Sequence, residues 1–238
     1  IKSPAEYFTD NILMNTMLMN ASRIYGVERF ISILSSCIYP DVVSEYPMSE
    51  EDLHIGPPAE TNFSYAYAKR CLAVQTEAYN TQYGLKYQYL NPSNLYGEYD
   101  KYGEHSHFIA ALIKKIMIAK KENSDKIILF GSGKPLRQFL HSSDLAYVIK
   151  KCIDDDIYTD MNVSTKEALS IHQMAEIALK SCDAEHLRIE YDSTKPDGQY
   201  RRDISIEKLL TVIPDFNPIK LSDGIRETYN KLSNGNQT

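Results

Sequence analysis

The sequence lacks any apolar run near the ~18 consecutive residues that mark a membrane-spanning helix. No charged start followed by a short apolar core marks a secretory signal. Cysteine is scarce: Cys37, Cys71, Cys152 and Cys182 are scattered through 238 residues without CxxC spacing. That argues against a disulfide framework or a zinc site and favours a reducing cytosol. Positive charge is not in excess, with 26 Lys and Arg against 32 Asp and Glu and a net charge of −6. A protein whose main work is neutralising nucleic-acid phosphates is therefore not expected. A local basic pocket for a small phosphorylated ligand remains open. Repeats and low-complexity linkers are missing. So is an initiating methionine, since the chain starts at Ile1; with a helix following almost at once, a preceding segment is expected.

What is present suits a globular protein of one large domain or two small ones, with 43% hydrophobic and 24% charged residues. Pro4–Tyr25 carries Ile12, Leu13, Met17, Leu18, Ala21 and Ile24 at helical spacing and is followed by Gly26. Arg29–Leu34 reads as a buried strand ending in Ser35-Ser36-Cys37. Tyr65–Tyr83 reads as a helix stopped at Gly84, Lys86–Leu90 as a strand and Asn91–Gly97 as a loop. Helices follow at His107–Lys121, Ser142–Asp154, Ile171–Cys182 and Leu221–Leu232, with strands at Lys126–Phe130, Met161–Ser164 and Leu187–Tyr191. Only Ser233–Thr238 reads as a frayed end. This alternation predicts an α/β fold with a parallel sheet, and ligands beyond the C-terminal ends of its strands.

Tyr65 and Lys69 stand one helical turn apart and face the same way. An ammonium there would favour phenolate and bring a phenol toward general acid–base use. The same spacing recurs in Tyr147/Lys151 and Tyr191/Lys195, so the pair alone says little. Context separates the first. A buried strand delivers Ser35 upstream, and a second apolar strand downstream ends in Asn91-Pro92-Ser93-Asn94. Two hydroxyls, Ser35 and Tyr65, converging on one oxygen would polarise a carbonyl.

Strand–Ser, then Tyr-x-x-x-Lys, then strand and Pro-x-Asn resembles the extended short-chain dehydrogenase/reductases. Within them, several blocks in order resemble the GDP-L-fucose synthases: Ser35–Pro40, Gly56-Pro57-Pro58, Tyr65–Arg70, Asn94–Gly97, Ser106-His107, Phe130–Gly133, Arg137–His141 and Lys195–Gly198. The resemblance implies a doubly wound parallel sheet of Rossmann type, N-terminally incomplete, with a smaller α/β substrate-binding domain. Residues 1–96, with 138–165 returning, would form the NADP-binding part, and 97–137 with 166–238 the nucleotide-sugar part.

The implied reaction takes GDP-4-keto-6-deoxy-D-mannose through C3 and C5 epimerisation to C4 reduction by NADPH, in a cytoplasmic homodimer without nucleic acid, membrane or metal. Ser35, Tyr65 and Lys69 would serve the reduction, and Cys37 and His107 would serve as base and acid. Ile33, Leu34, Ser35, Ser36, Pro92, Ser93, Asn94, Leu95 and His107, together with Tyr65 and Lys69, would line the cofactor. Lys115, Phe130, Arg137 and Asp197 would take the GDP-sugar. The helices Pro4–Tyr25 and Tyr65–Tyr83 would pair subunits.

Each role has a packing alternative. Cys37 also suits a small buried hydrophobe, Lys115 a solvated helix face and Asp197 an ordinary Pro-Asp-Gly turn. His107 also suits a solvent-facing helix start, with His105 as competitor, and Tyr67 suits packing. The family pattern opens with a glycine-rich strand–turn–helix that nothing here matches. Gly131-Ser132-Gly133-Lys134 is followed by Pro135 rather than a Walker continuation. Glu98–Ser106 also lacks the family's Pro-His-Asp-Asn-Phe, and Phe130 stands where some members have Trp. Two other readings stay open: a different NADP-dependent nucleotide-sugar 4-reductase or 4-epimerase, and a non-catalytic truncated reductase scaffold. By itself, residues 1–238 would expose an unpaired sheet edge and would not be stable as a monomer.

Overall fold

The computed structural model describes residues 3–103 and 106–235. Its elements in chain order are α1 (Pro4–Ile24), β1 (Ile31–Ile33), α2 (Phe63–Tyr83), β2 (Gln88–Pro92), β3 (Asn94–Tyr96), α3 (Phe108–Lys121), β4 (Lys126–Phe130), β5 (Leu136–Arg137) and β6 (Phe139–His141). There follow α4 (Ser142–Asp154), β7 (Met161–Val163), β8 (Leu169–Ser170), α5 (Ile171–Ser181), β9 (Arg188–Asp192), α6 (Glu207–Val212) and α7 (Leu221–Gly235). The chain forms two compact units. One is Ile1–Ser93, Ala146–Lys166 and Arg202–Phe216; the other is Asn94–Leu145, Glu167–Arg201 and Asn217–Thr238.

The first unit is built on a parallel sheet in the order β1-β2-β7. Ile31 faces Gln88, and Leu90 faces Met161. Parallel neighbours need a crossover, and α2 supplies it between β1 and β2. Leu90, Met161 and Val163 are fully buried, as strands covered on both faces require. The core gathers Met19, Leu34, Ile38, Tyr39, Met48, Leu72, Tyr87 and Ile204. Gly84 closes α2 with φ +65°, a left-handed position that favours glycine. Helix α1 packs along α2 but buries only Asn15 and Met19. Residues 202–216, expected with the second domain, cluster here instead. Met48 N–H donates to the Asp203 carbonyl at 2.9 Å, and Ile204 and Leu209 are fully buried. Burial of those side chains, invisible in their short local pattern, decides where the segment goes.

The second unit holds the parallel pairs β3-β6 and β4-β9 and the antiparallel pair β5-β8. Its core joins Ile109, Leu112, Ile113 and Ile116 of α3 to Leu129, Phe139, Met174, Ala178, Leu187 and Ile225. Strand β4 alternates: Ile127 and Leu129 point in, while Phe130 is 63% exposed. The stretch Asn91–Gly97, expected as loop, carries the end of β2 and all of β3, because Asn94–Tyr96 pair in register with Phe139–His141. Strands β5, β6 and β8 and helix α6 were not foreseen; none is long enough to show a period.

Candidate active site

Ser35 follows β1 in extended backbone and caps a short 3-10 turn, Ser36–Ile38, accepting from the Cys37 N–H at 3.4 Å. The first turns of α2 bring Tyr65 to the same place, with the Ser35 hydroxyl close enough to act on its phenol. Burial pushes the Tyr65 phenol up, the neighbouring Cys37 adds to that, and the Ser35 hydroxyl pulls it partly back. Ser35, Cys37 and Tyr65 are thus brought together. Lys69 sits one turn on, but its Nζ donates to the Ile33 carbonyl at 3.0 Å, and burial lowers its pKa. The expected depression of Tyr65 by Lys69 is therefore not what this arrangement gives. Desolvation wins, and the phenol keeps its proton.

Three features around this cluster escaped the sequence reading or were settled by packing. Arg70 is 6% exposed and clamps two loop carbonyls, Ile38 through Nε at 2.9 Å and Nη2, and Gly56 through Nη1 at 2.8 Å. Arg202 Nη1 donates to Cys37 Sγ at 3.1 Å. Tyr67 packs, its ring 4.7 Å from Phe63. The other Tyr/Lys pairs fall away: Tyr147 donates to Asp215 at 2.9 Å, and Tyr191 lies on strand β9 rather than on a helix. At the end of β2, Ser93 N–H bonds the Val163 carbonyl at 3.0 Å. Its hydroxyl, like Asn91 Oδ1, is buried without a partner among the described residues. Pro92 closes β2 beside them. Leu34 is buried and donates its N–H to the Leu90 carbonyl at 2.9 Å.

Within the second unit, Asn94 Nδ2 donates to the Gln138 carbonyl at 3.0 Å. Leu95 and His107 share a cavity of about 220 Å³ with Gly97, Asp100 and Ser142. His107 stands at the N-cap of α3, with its side chain 74% exposed and Nδ1 3.1 Å from Asp100 Oδ1. His105 lies outside the described residues, as do the last positions of Ser233–Thr238. A second cavity, about 440 Å³, is lined by Lys115, Phe130 and Asp197, with Phe108, Leu129 and Pro135. Lys115 Nζ bonds the Ile128 carbonyl and lies 4.7 Å from the Phe130 ring centre. Lys195 Nζ approaches the same ring at 5.9 Å. Asp197 accepts from Ser132 N–H at 2.6 Å and Ser132 Oγ at 2.7 Å, and those bonds hold its pKa below the usual range. A Cβ on Gly131, at φ +80°, would fall 2.2 Å from Asp197 Oδ1, so glycine is what lets the aspartate close in. Arg137 does not line this cavity; Nη2 donates to the Gln199 carbonyl at 2.6 Å. Among the described residues no group of three His, Cys, Asp or Glu could hold a metal ion. No described helix is long and apolar enough to cross a membrane.

Residues 1–164 match the model of the NAD dependent epimerase/dehydratase family. The chain is 35% identical over 234 residues to the GDP-L-fucose synthase of Dictyostelium discoideum, covering 96% of this chain and 72% of that one. It is 30% identical over 237 residues to the GDP-L-fucose synthase of Escherichia coli, covering 95% and 73%. Its fold superposes on a GDP-L-fucose synthetase from Naegleria fowleri bound to NADP, with TM-score 0.88, 31% identity and coverage of 99% and 72%.

Proposed function

The chain belongs to the NAD dependent epimerase/dehydratase family, among the GDP-L-fucose synthases, and from that premise we propose the residue roles of an NADPH-dependent 3,5-epimerase and 4-reductase. Its substrate is GDP-4-keto-6-deoxy-D-mannose and its product GDP-L-fucose. The observation that carries this reading is the meeting of Ser35, Tyr65 and Cys37 at one strand end.

C3 and C5 both flank the C4 ketone, so both carry protons that a base can remove. Cys37, reacting as its thiolate, takes each proton as its sulfur–hydrogen bond forms and the carbon–hydrogen bond breaks, the electron pair moving to the C4 oxygen; between the two inversions the thiol gives its proton to water and His107 regains one from water. Ser35 and Tyr65 hold that oxygen with two hydrogen bonds as its charge develops. His107 returns a proton to the opposite face, which inverts the carbon. In the reduction, Tyr65 gives its proton to the C4 oxygen. Burial that keeps the phenol protonated suits a donor better than a base.

Bound NADPH supplies the hydride. The residues present fit it: the unpartnered Ser93 hydroxyl and Asn91 oxygen lie at the C-terminal end of a central parallel strand, where such ligands sit. Ile33, Leu34, Ser35, Ser36, Pro92, Ser93, Asn94, Leu95 and His107 would line the cofactor, and Lys69 would reach its nicotinamide ribose. Phe130, Lys115 and Asp197 take the nucleotide end through stacking, cation and acceptor, and Arg137 would take phosphate oxygens only by giving up its bond to the Gln199 carbonyl.

The apolar surface of α1, with Leu13 55% and Met17 69% exposed, supports a homodimer. Four unpaired cysteines support residence in the cytosol. The test is NADPH oxidation with this sugar by the full-length protein. Tyr65→Phe should reduce turnover at least about 100-fold while cofactor still binds. Unchanged turnover would sink the assignment of Tyr65.

A further inference from the structure

Between β3 and α3 lies a partner of His107, Asp100, to which the roles above assign nothing. Asp100 Oδ1 lies 3.1 Å from His107 Nδ1. The two side chains differ sharply in exposure: His107 is 74% exposed, Asp100 only 11%. The carboxylate is therefore the fixed partner and the imidazole the one that would otherwise rotate freely. The backbone around Asp100 is held from several sides. Its N–H donates to the Gly97 carbonyl at 3.2 Å, and Tyr102 Oη donates to the same carbonyl at 2.9 Å. Lys114 of α3 donates to the Tyr102 carbonyl at 2.8 Å. Asp100 Oδ1 also accepts from the Lys101 N–H at 2.7 Å, whereas Oδ2 is buried without a partner among the described residues.

A carboxylate is an acceptor only, so a bond to Nδ1 requires the proton on Nδ1. That fixes the tautomer and leaves Nε2 as the ring atom that gives or takes a proton. His107 and Asp100 line the same 220 Å³ cavity with Gly97, Leu95 and Ser142. We infer that Asp100 is a positioning residue that sets the tautomer and aim of His107, so that Nε2 delivers the proton during epimerisation. This rests on the proposed role of His107 as the acid.

The test compares the full-length protein with Asp100→Asn and Asp100→Glu. Asparagine presents an N–H to Nδ1 as readily as an oxygen and so frees the ring to take the other tautomer. Two readouts are taken. One is the ¹⁵N shift pattern of the His107 imidazole at alkaline pH, which reports the tautomer without turnover. The other is deuterium entry from solvent at C3 and C5 of the keto sugar. Asp100→Asn should move the ring toward the Nε2–H tautomer and slow deuterium entry at least about tenfold, with NADPH affinity unchanged. Asp100→Glu, which keeps the carboxylate, should recover part of the Nδ1–H signal. An unchanged tautomer in Asp100→Asn overturns the inference, whatever the exchange rate. A changed tautomer with exchange within twofold of the parent overturns it too. If the parent protein itself exchanges no deuterium, the epimerase reading fails instead, and the ¹⁵N pattern still decides whether Asp100 orients His107.

Discussion

Arg70→Met probes the joint between the strand-end loop and the helix that carries Tyr65 and Lys69. The guanidinium is 6% exposed and donates to two carbonyls, Ile38 and Gly56. Ile38 adjoins Cys37, so the same clamp holds the sulfur opposite α2. Methionine keeps most of the stem's volume but leaves both carbonyls without their donors. A buried acceptor left unpaired costs ~1–3 kcal/mol, so two cost ~2–6 kcal/mol. Removing a buried charge gives part of that back, since burial already lowers the Arg70 pKa. The net expectation is a loss of about 3 kcal/mol. Urea unfolding followed by circular dichroism reads it as a lower midpoint at an unchanged slope. At a temperature where the variant remains folded, epimerisation should fall more than NADPH affinity. A destabilisation under about 1 kcal/mol would mean that water or relaxation satisfies both carbonyls and that the Arg70 clamp is dispensable.

Two further expectations follow from features away from this joint. Asp160 accepts from the Tyr89 N–H at 2.7 Å, and burial pushes its carboxyl from 3.8 up to about 6. A folded value above the unfolded one means stabilisation present below pH 3.8 and lost as pH rises through about 6. Asp160→Asn imitates the protonated form, so relative to the parent it should gain about 2–3 kcal/mol between those limits; urea midpoints at both ends check this, and a constant difference would contradict it. Met17→Glu on the exposed face of α1 should convert the proposed homodimer to monomer in sedimentation; a parent that is already monomeric would refute the dimer, and a variant that stays dimeric would place the interface elsewhere.

The parts of this molecule legible in the sequence are those set by neighbours along the chain. Ser35 at a strand end and Tyr65 one turn before Lys69 are local facts. The meeting of Ser35 and Tyr65 was to be expected from parallel pairing of β1 and β2, which the alternation of helices and strands foretold, whereas Cys37 was named by the family resemblance alone. What stayed hidden depends on long closures. Arg202 reaches Cys37 from 165 positions away. Residues 202–216 join the first unit through Ile204 and Leu209, two apolar side chains in a stretch too short to show periodicity. The electrostatic reading of Tyr65 failed for a related reason. Spacing put Lys69 beside it, but only the packed structure shows Lys69 spent on the Ile33 carbonyl and the phenol desolvated.

The proposed reaction inverts C3 and C5 before it reduces C4. The full-length protein, given GDP-4-keto-6-deoxy-D-mannose and NADPH in deuterated water, should yield a product with deuterium at both C3 and C5 and a reduced C4 by NMR. Cys37→Ser and His107→Gln should each cut that exchange at least about 100-fold while leaving the fold intact. NADPH oxidation with no solvent deuterium at C3 or C5 would contradict the account and leave a simple 4-reductase.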